Sequence, residues 1–484
     1  MNYIGIDLGT SSVKVLLVNK KGKILFSDTE YYSVSTPHLN WSEQDPSLWW
    51  EATKKIIRKI TSKFNPSLIK GISFGGQMHG LVALDKNNNV IRPCILWNDG
   101  RTEKETKYLN EVIGKDVLVK ETGNFAFAGF TLPKILWMKE NEPNLFKEIN
   151  MILLPKDYLV FKFTNKFSTD YSDAAGTLLL DVKHKKWSKK MCEIAGISEK
   201  TLPILHESYD FVGFINEDVA YELHLDPSTK IFAGAGDNAA AAIGTGCVEA
   251  GKCNISLGTS GTIFVPTDNF ICDKNVALHS FNHANGSYHL MGCILTAASA
   301  NGWWIKSILN SKFSKEYDID ENELGLNNVY FAPYLNGERC PYNDVNVRGA
   351  FIGLSNQTSK KDMNLSILEG VTFALKDCYE LMKNKGAQIN AITLCGGGSR
   401  IKIWPKIIAN VFGLPVIFVK TEQGPAYGAA ILAMVGNSEY RDVKEATDNI
   451  VQYTSTILPN NEITNRYSKQ YLRYKKLYKM LKDF

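Results

Sequence analysis

Asp7 closes a short aliphatic run, Ile4-Gly5-Ile6-Asp7-Leu8, that breaks into Gly9-Thr10-Ser11-Ser12. One carboxylate beside a turn rich in backbone N–H groups and hydroxyls suits a phosphate anion with a divalent cation next to it. The turn recurs. Ile255-Ser256-Leu257-Gly258-Thr259-Ser260-Gly261 repeats the Ile-x-Leu-Gly-Thr-Ser core in the second half of the chain. Ser256 stands where Asp7 stands, so only the first copy carries a charge. Two related domains facing one phosphate-bearing ligand is the simplest inference, with Asp7 holding Mg²⁺ directly or through water and Thr10, Ser11, Ser12 and Thr259 near the phosphates.

Other residues could do chemistry with these turns. Asp237, in Gly236-Asp237-Asn238-Ala239-Ala240, follows an apolar strand and precedes an alanine-rich segment. Its small neighbours leave room for a substrate, so it suits a general base, and it suits a helix N-cap as well. Gly396-Gly397-Gly398-Ser399 follows another short strand, where missing side chains let backbone approach a ligand and the next helix points its positive end at it. Gly397 and Gly398 thereby offer a third face, toward the adenosine end of a nucleotide. Gln77-Met78-His79, bounded by glycines, combines an amide, a thioether and an imidazole, a set able to recognise a polyhydroxy ligand or to serve as plain structure. Trp97-Asn98-Asp99-Gly100-Arg101 adds an indole face and polar groups with the same ambiguity. His279 and His283 lie four apart without a third ligand and receive no site.

These residues need a scaffold that presents strand ends. Residues 3–29 read as a three-stranded meander: a strand to Leu8, the Gly-Thr-Ser turn, a strand over 13–18, a Lys-Lys-Gly turn and a strand over 24–28. Ser42, Glu43 and Asp45-Pro46 open a helix running to about Ile60. Strands are predicted over 69–74 and 230–235, a helix start over 238–243, and a domain boundary near residue 248. The second half repeats the logic. Strands span 253–265, a helix runs over 362–384 to Gly386, a strand over 392–395, and a helix over 404–412 with Pro405 in its first turn and Gly413 after it. Tyr467, Tyr471, Tyr474, Tyr478 and Leu481 share one stripe of a docked terminal helix.

Composition narrows the partners. The chain has 484 residues with 44% hydrophobic and 22% charged residues, enough for two or three cores. A net charge of +5 is dilute and interleaved, so a nucleic-acid partner is not expected. Nine cysteines without a C-x-x-C pair read as reduced core thiols in a cytoplasmic setting. No apolar run approaches a membrane span and none resembles a signal peptide, so neither export nor membrane insertion is expected.

Longer strings carry a family resemblance. Gly129-Phe130-Thr131-Leu132-Pro133-Lys134-Ile135-Leu136-Trp137 and Gly349-Ala350-Phe351-Ile352-Gly353-Leu354, continuing through Asp362 to Glu369, resemble the two signatures of the FGGY carbohydrate kinases. The resemblance runs from residue 3 to about 436. Trp41 to Pro46, Gly76 to Gly80, Ile95 to Arg101, Leu153 to Leu159 and Ser172 to Thr177 are similar to the branch acting on D-xylulose. It implies an α/β fold of two actin-like, ribonuclease-H-type domains, residues 1–248 for sugar and catalytic base and 249–484 for nucleotide, with sugar and MgATP in the cleft between them. By carry-over, Asp237 is the base, Met78 and His79 bind sugar, Asn238 is a sugar contact, and Asp7 is the metal-associated carboxylate. Trp97 and Asp99 join the sugar set; Thr10, Ser11, Thr259, Gly397 and Gly398 the nucleotide set; Ser12 stands where the family often has Gly. The expected partners are the sugar and ATP, and the sequence admits a homodimer. A kinase for another ketose or a polyol, and an actin- or Hsp70-type ATPase, stay open as alternatives; glycerol is disfavoured, because glycerol kinases place Arg-Glu where this chain has Met78-His79.

Overall fold

A computed structural model describes residues 1–272, 278–311, 319–421 and 423–484. Its chain forms two compact units, the first comprising Met1–Val248, Ser280–Tyr288 and Gln423–Val451, the second Glu249–His279, His289–Glu422 and Gln452–Phe484. The first unit thus includes two segments beyond residue 248, and in the second of them helix Gly424–Gly436 packs on its sheet at backbone contact.

The first unit is built on a mixed sheet in the order Phe211–Phe214, Lys230–Phe232, Ile69–Gly76, Asn2–Leu8, Ser12–Asn19, Ile24–Tyr31. The last three strands are the predicted meander, paired antiparallel with Asp7 opposite Lys14 and Val15 opposite Asp28. Strand Asn2–Leu8 runs parallel to Ile69–Gly76, a pairing that needs a long crossover, supplied by helix Pro46–Thr61. Asp45 caps that helix by accepting from the Ser47 N–H, and Pro46 takes its first turn. Trp49, Ile56, Ile57 and Ile60 on the helix pack with Ile4, Ile6, Leu8, Val13, Val15 and Leu17, giving one apolar core under one face of the sheet. The strand expected over 230–235 is broken instead into Lys230–Phe232 and Ala235–Gly236. Gly234 causes the break: its φ is +78° and a Cβ there would lie 2.4 Å from the Phe74 carbonyl oxygen.

The second unit repeats the order of roles: Tyr453–Ile457, Val416–Val419, Ile389–Cys395, Gly251–Leu257, Gly261–Thr267, Tyr288–Ile294. Helix Lys360–Asn384 starts at a capping box in which Ser359 Oγ accepts from the Asp362 N–H and Asp362 Oδ2 accepts from the Ser359 N–H. The terminal tyrosine stripe docks on this helix. Tyr467 donates to Glu369 at 2.9 Å and Tyr471 to Asp377 at 2.6 Å, so two buried carboxylates each receive a phenol. The terminal helix stops at Tyr474 and resumes over Leu477–Leu481, where Tyr478 stacks on Tyr342.

The other face of the first sheet is closed by helices that touch without side chains. A Cβ on Gly5 would lie 1.9 Å from the Ala426 carbonyl oxygen, and one on Gly428 would lie 1.8 Å from that of Ala240. Backbone cannot yield as a flexible side chain can. Gly428→Ala is therefore expected to destabilise the protein by about 3 kcal/mol, the upper range for an overpacked core. Urea unfolding of the variant beside the parent checks this.

Candidate active site

Three parallel strands end at one edge of the first sheet. Asp7 pairs with Gly75 and Leu8 with Gly76, while Ala235 and Gly236 pair with the same two glycines from the other side. The chain leaves the sheet there as the Gly9–Ser12 turn, the Gln77–Gly80 loop and the helix Asp237–Gly244. Ligand sites in α/β sheets form outside the carboxyl ends of parallel strands. The register therefore brings Asp7, Met78, His79, Asp237 and Asn238 to one edge.

Asp7 and Asp237 are recessed among protein atoms and each keeps a partly exposed face. Burial pushes the Asp7 carboxyl up to about 7; repulsion from Asp237 adds to this, while Lys14 opposes it. Burial likewise holds Asp237 up at about 6, against two hydrogen bonds from Asn238. Those bonds run from the Asn238 N–H at 2.7 Å and its Nδ2 at 2.8 Å, both to Oδ1. Gly236 is the cap of the helix and Asp237 its first residue, so only one carboxylate oxygen is taken up, by Asn238. The Asn238 amide donates to Asp237 and orients it.

The other expected contacts divide. The Thr10 hydroxyl donates to Gln77 Oε1 at 3.0 Å and accepts from Trp97 Nε1 at 2.9 Å. The one proton of this hydroxyl is committed to Gln77. Ser11 is exposed and Ser12 half-buried beyond the tight turn closed by the Gly9 N–H to Ser12 carbonyl bond. Trp97 is 42% exposed with its N–H occupied, which leaves an indole face for a ligand. Asp99 is committed to protein partners as well. It is buried, and its oxygens accept from the Ser42 and Arg101 N–H groups and from Arg101 Nε and Nη2. Arg101 in turn lies 3.6 Å from the Trp41 ring centre, so Asp99 builds the wall behind Trp97 and has no lone pair aimed at a sugar.

Met78 is buried, and a Cβ on Gly236 would lie 2.9 Å from its sulfur. The thioether therefore lies against the backbone next to Asp237. His79 has a φ of +70°; its Nδ1 lies 2.8 Å from the Gly176 carbonyl and its ring stacks on Phe130 at 4.7 Å. A carbonyl only accepts, so Nδ1 is the donor to Gly176.

Behind Asp237 lies a buried ionic cluster that sequence reasoning passed over. Lys156 Nζ sits 2.6 Å from Asp157, 3.0 Å from Asp170 and 3.7 Å from Asp173, all four side chains fully buried. Asp170 Oδ2 accepts from Ser172 Oγ at 2.5 Å, and that hydroxyl accepts from the Gly236 N–H at 3.1 Å. The chain of bonds ends one residue before Asp237. The three carboxylates hold the lysine well above its ordinary range, and burial raises Asp157 and Asp173. The strings 153–159 and 172–177 contained Lys156, Asp157, Ser172 and Asp173, but Asp170 lies in neither, and nothing in a linear spacing said that Lys156 meets it.

The second unit carries the repeated turn at the equivalent edge. Ser256 pairs with Cys395, which sets the Gly258–Ser260 turn beside the Gly396–Gly398 loop. The Thr259 carbonyl accepts from the Ala297 N–H at 2.9 Å and Ser299 Oγ at 2.6 Å. A Cβ on Gly396 or Gly398 would strike Leu257, while one on Gly397 would meet nothing within 4 Å. Gly397 alone of the three opens onto space.

Residues 2–244 match the N-terminal domain and residues 253–436 the C-terminal domain of the FGGY family of carbohydrate kinases. The chain belongs to this family. It is 38% identical to a xylulose kinase of Bacillus subtilis (strain 168) over 489 residues, covering 100% of this chain and 98% of the relative. Among solved structures it resembles a "xyloylose kinase" from Brucella ovis, with a TM-score of 0.95, 37% identity and 99% of both chains covered. A ligand-bound xylulose kinase from Lactobacillus acidophilus aligns with a TM-score of 0.94 at 26% identity, covering 99% of this chain and 98% of that one. The mixed α/β fold in two units is that of the FGGY kinases.

For an FGGY kinase a metal beside the phosphates is implied, and Asp7 fits one. Its carboxylate accepts no hydrogen bond among the described residues and faces the like charge of Asp237, so a cation there relieves both burial and repulsion. Among the described residues no group of three His, Cys, Asp or Glu side chains is placed to cage a metal. One carboxylate supplemented by water and phosphate oxygens is the arrangement Mg²⁺ commonly takes.

The lysine cluster behind Asp237 makes its own prediction. Lys156→Met leaves buried carboxylates uncompensated and is expected to destabilise the protein by about 3–5 kcal/mol. Those carboxylates would have folded-state pKa values above their unfolded ones, so the folded state binds the extra protons. The loss is therefore smallest at acidic pH and grows as pH rises, which urea unfolding across a pH series reads directly.

Proposed function

We propose that this chain transfers the γ-phosphoryl group of ATP to the 5-hydroxyl of D-xylulose, giving D-xylulose 5-phosphate and ADP. The single supporting observation is Asp237, a recessed carboxylate with one oxygen fixed by Asn238, at the same sheet edge as Met78, His79 and the Asp7 turn. The family's xylulose kinases, matched along the whole chain, supply the substrate. The first unit binds the sugar through His79, Met78 and the Trp97 face. The second binds the nucleotide through the Thr259 turn and the open Gly397 backbone.

Asp237 accepts the proton of the attacking hydroxyl. In a loose phosphoryl-transfer transition state that proton leaves late, so the carboxylate orients the nucleophile more than it strips it beforehand. Its second oxygen is the one turned to the substrate, since Oδ1 is held by Asn238. The Asp7 carboxylate would hold Mg²⁺, directly or through water, and a cation there would supply charge neutralisation for the phosphates. Lys14, opposite Asp7 across the hairpin, adds a positive charge that the residue types alone did not point out. All nine cysteines are free thiols, only Cys272 and Cys395 being other than buried, which supports a reducing, cytoplasmic setting. Among the described residues no helix is long and apolar enough to cross a membrane.

ADP release measured with D-xylulose, L-xylulose, D-ribulose, L-ribulose, gluconate and glycerol tests the substrate: D-xylulose should give the highest kcat/KM, and preference for another acceptor moves the chain to that branch of the family. Asp237→Asn should lower kcat by ~10² or more with sugar binding largely retained. Near-parental turnover of that variant removes Asp237 from the role of base.

The pH profile follows from the same carboxylate. Asp237 must be ionised to accept a proton and is held up at about 6, so kcat/KM should fall as pH drops through that value. Asn238→Ala removes a hydrogen bond that favours the ionised form, so the acid limb should move to higher pH. A limb that stays in place or moves down contradicts this account.

A further inference from the structure

Lys134 has no part in the mechanism above, yet it is fully buried at the first turn of helix Thr131–Asn141. Its Nζ donates to two carbonyl oxygens, that of His79 at 2.7 Å and that of Gly129 at 2.7 Å. Among the described residues it forms no ion pair, and burial pulls its ammonium down to about 7. A long cationic side chain buried without a carboxylate bonded to it is unfavourable in itself, so the two carbonyls it grips are its compensation.

Those carbonyls belong to the His79 loop, read above as a sugar contact, and to the segment 129–134 that packs against it. The His79 backbone sits at a φ of +70°, a region that residues with a side chain seldom occupy. Its carbonyl also accepts from Thr131 Oγ1 at 3.1 Å, and Phe130 stacks on its ring at 4.7 Å. Gly129 abuts Trp97 so closely that a Cβ would lie 2.5 Å from the Trp97 carbonyl oxygen. Residues 129–134 therefore hold His79 by carbonyl and by ring while resting against the backbone of Trp97.

We propose that Lys134 is a positioning residue for sugar recognition: by tying the His79 and Gly129 carbonyls together it fixes the left-handed His79 backbone and the spacing between the imidazole and the Trp97 face. This rests on the reading of His79 as a sugar ligand. Lys134 itself touches neither substrate.

The experiment is steady-state kinetics of the full-length enzyme with D-xylulose and ATP for Lys134→Met, His79→Ala, the double variant and Thr131→Val. Lys134→Met should raise the KM for sugar about 10-fold and leave the KM for ATP unchanged, as expected of a displaced contact residue. Thr131→Val, which removes only the hydroxyl, should raise the sugar KM in the same sense by a smaller factor, and it keeps the proposal testable should Lys134→Met fail to fold. In the His79→Ala background Lys134→Met should add little further loss, because residues acting through one another are not additive. Full additivity, or equal damage to kcat and both KM values, overturns the proposal. If His79→Ala alone leaves the sugar KM unchanged, the sugar-ligand reading fails first and the proposal falls with it. Nitrogen resonances of a histidine-labelled protein give a readout independent of turnover: in Lys134→Met the His79 imidazole should shift while His283 does not, and an unmoved His79 overturns the proposal.

Discussion

The parallel register that sets Gly75 beside both Asp7 and Ala235 is the constraint on which the site depends. Asp7, the Gln77–Gly80 loop and Asp237 are far apart in the chain, and the sheet brings them to one level only because those strands run the same way. A slip of one residue would turn Asp7 to the opposite face of the sheet. The register is secured by burial, since Ile4, Ile6 and Leu8 enter the core on the side covered by helix Pro46–Thr61. On the other side Gly5 admits the backbone of helix Gly424–Gly436, and Gly428 admits that of helix Asp237–Gly244. The position of the base is thus set by backbone contact.

Recessing two carboxylates at that edge has electrostatic consequences. Burial raises both, and Asp7 is raised further by its neighbour. Each charge is then countered by a specific device. Asn238 gives Asp237 two hydrogen bonds on one oxygen, and Lys14 faces Asp7 across the hairpin. Behind them, the Lys156 cluster reaches Gly236 through Asp170 and Ser172, so polar bonds fix the backbone from which Asp237 departs. A buried lysine with three aspartates is stable only as a complete set.

Two residues read as ligand candidates spend polar atoms on protein partners. Thr10 joins the phosphate turn to Gln77 and Trp97, and Asp99 is consumed by Arg101 and the Ser42 N–H. Both are polar residues in glycine-bounded loops, the same type of residue that binds a sugar. Their side chains find protein partners first because neighbouring loops converge at the sheet edge and supply donors before solvent or ligand does. The FGGY signature shows the same division: Lys134 and Thr131 spend their polar atoms on the His79 carbonyl.

Residue types and spacing determined much of this protein on their own. The duplicated turn, the meander, the helix cap at Asp45, Gly413 after the helix with Pro405 in its first turn, and the tyrosine stripe are local patterns in which each signal lies within a few residues of its effect. The candidate base and the His79 loop were legible for the same reason, as short polar interruptions after apolar strands. Tertiary structure alone decided that residues 423–451 return to the first unit, that Gly234 splits a strand against Phe74, and that Asp99 and the Thr10 hydroxyl face inward. It also decided the partners of Lys156 and Lys134. Those outcomes depend on which distant backbone or charge arrives at a given point, and long-range packing, not local preference, sets that arrival.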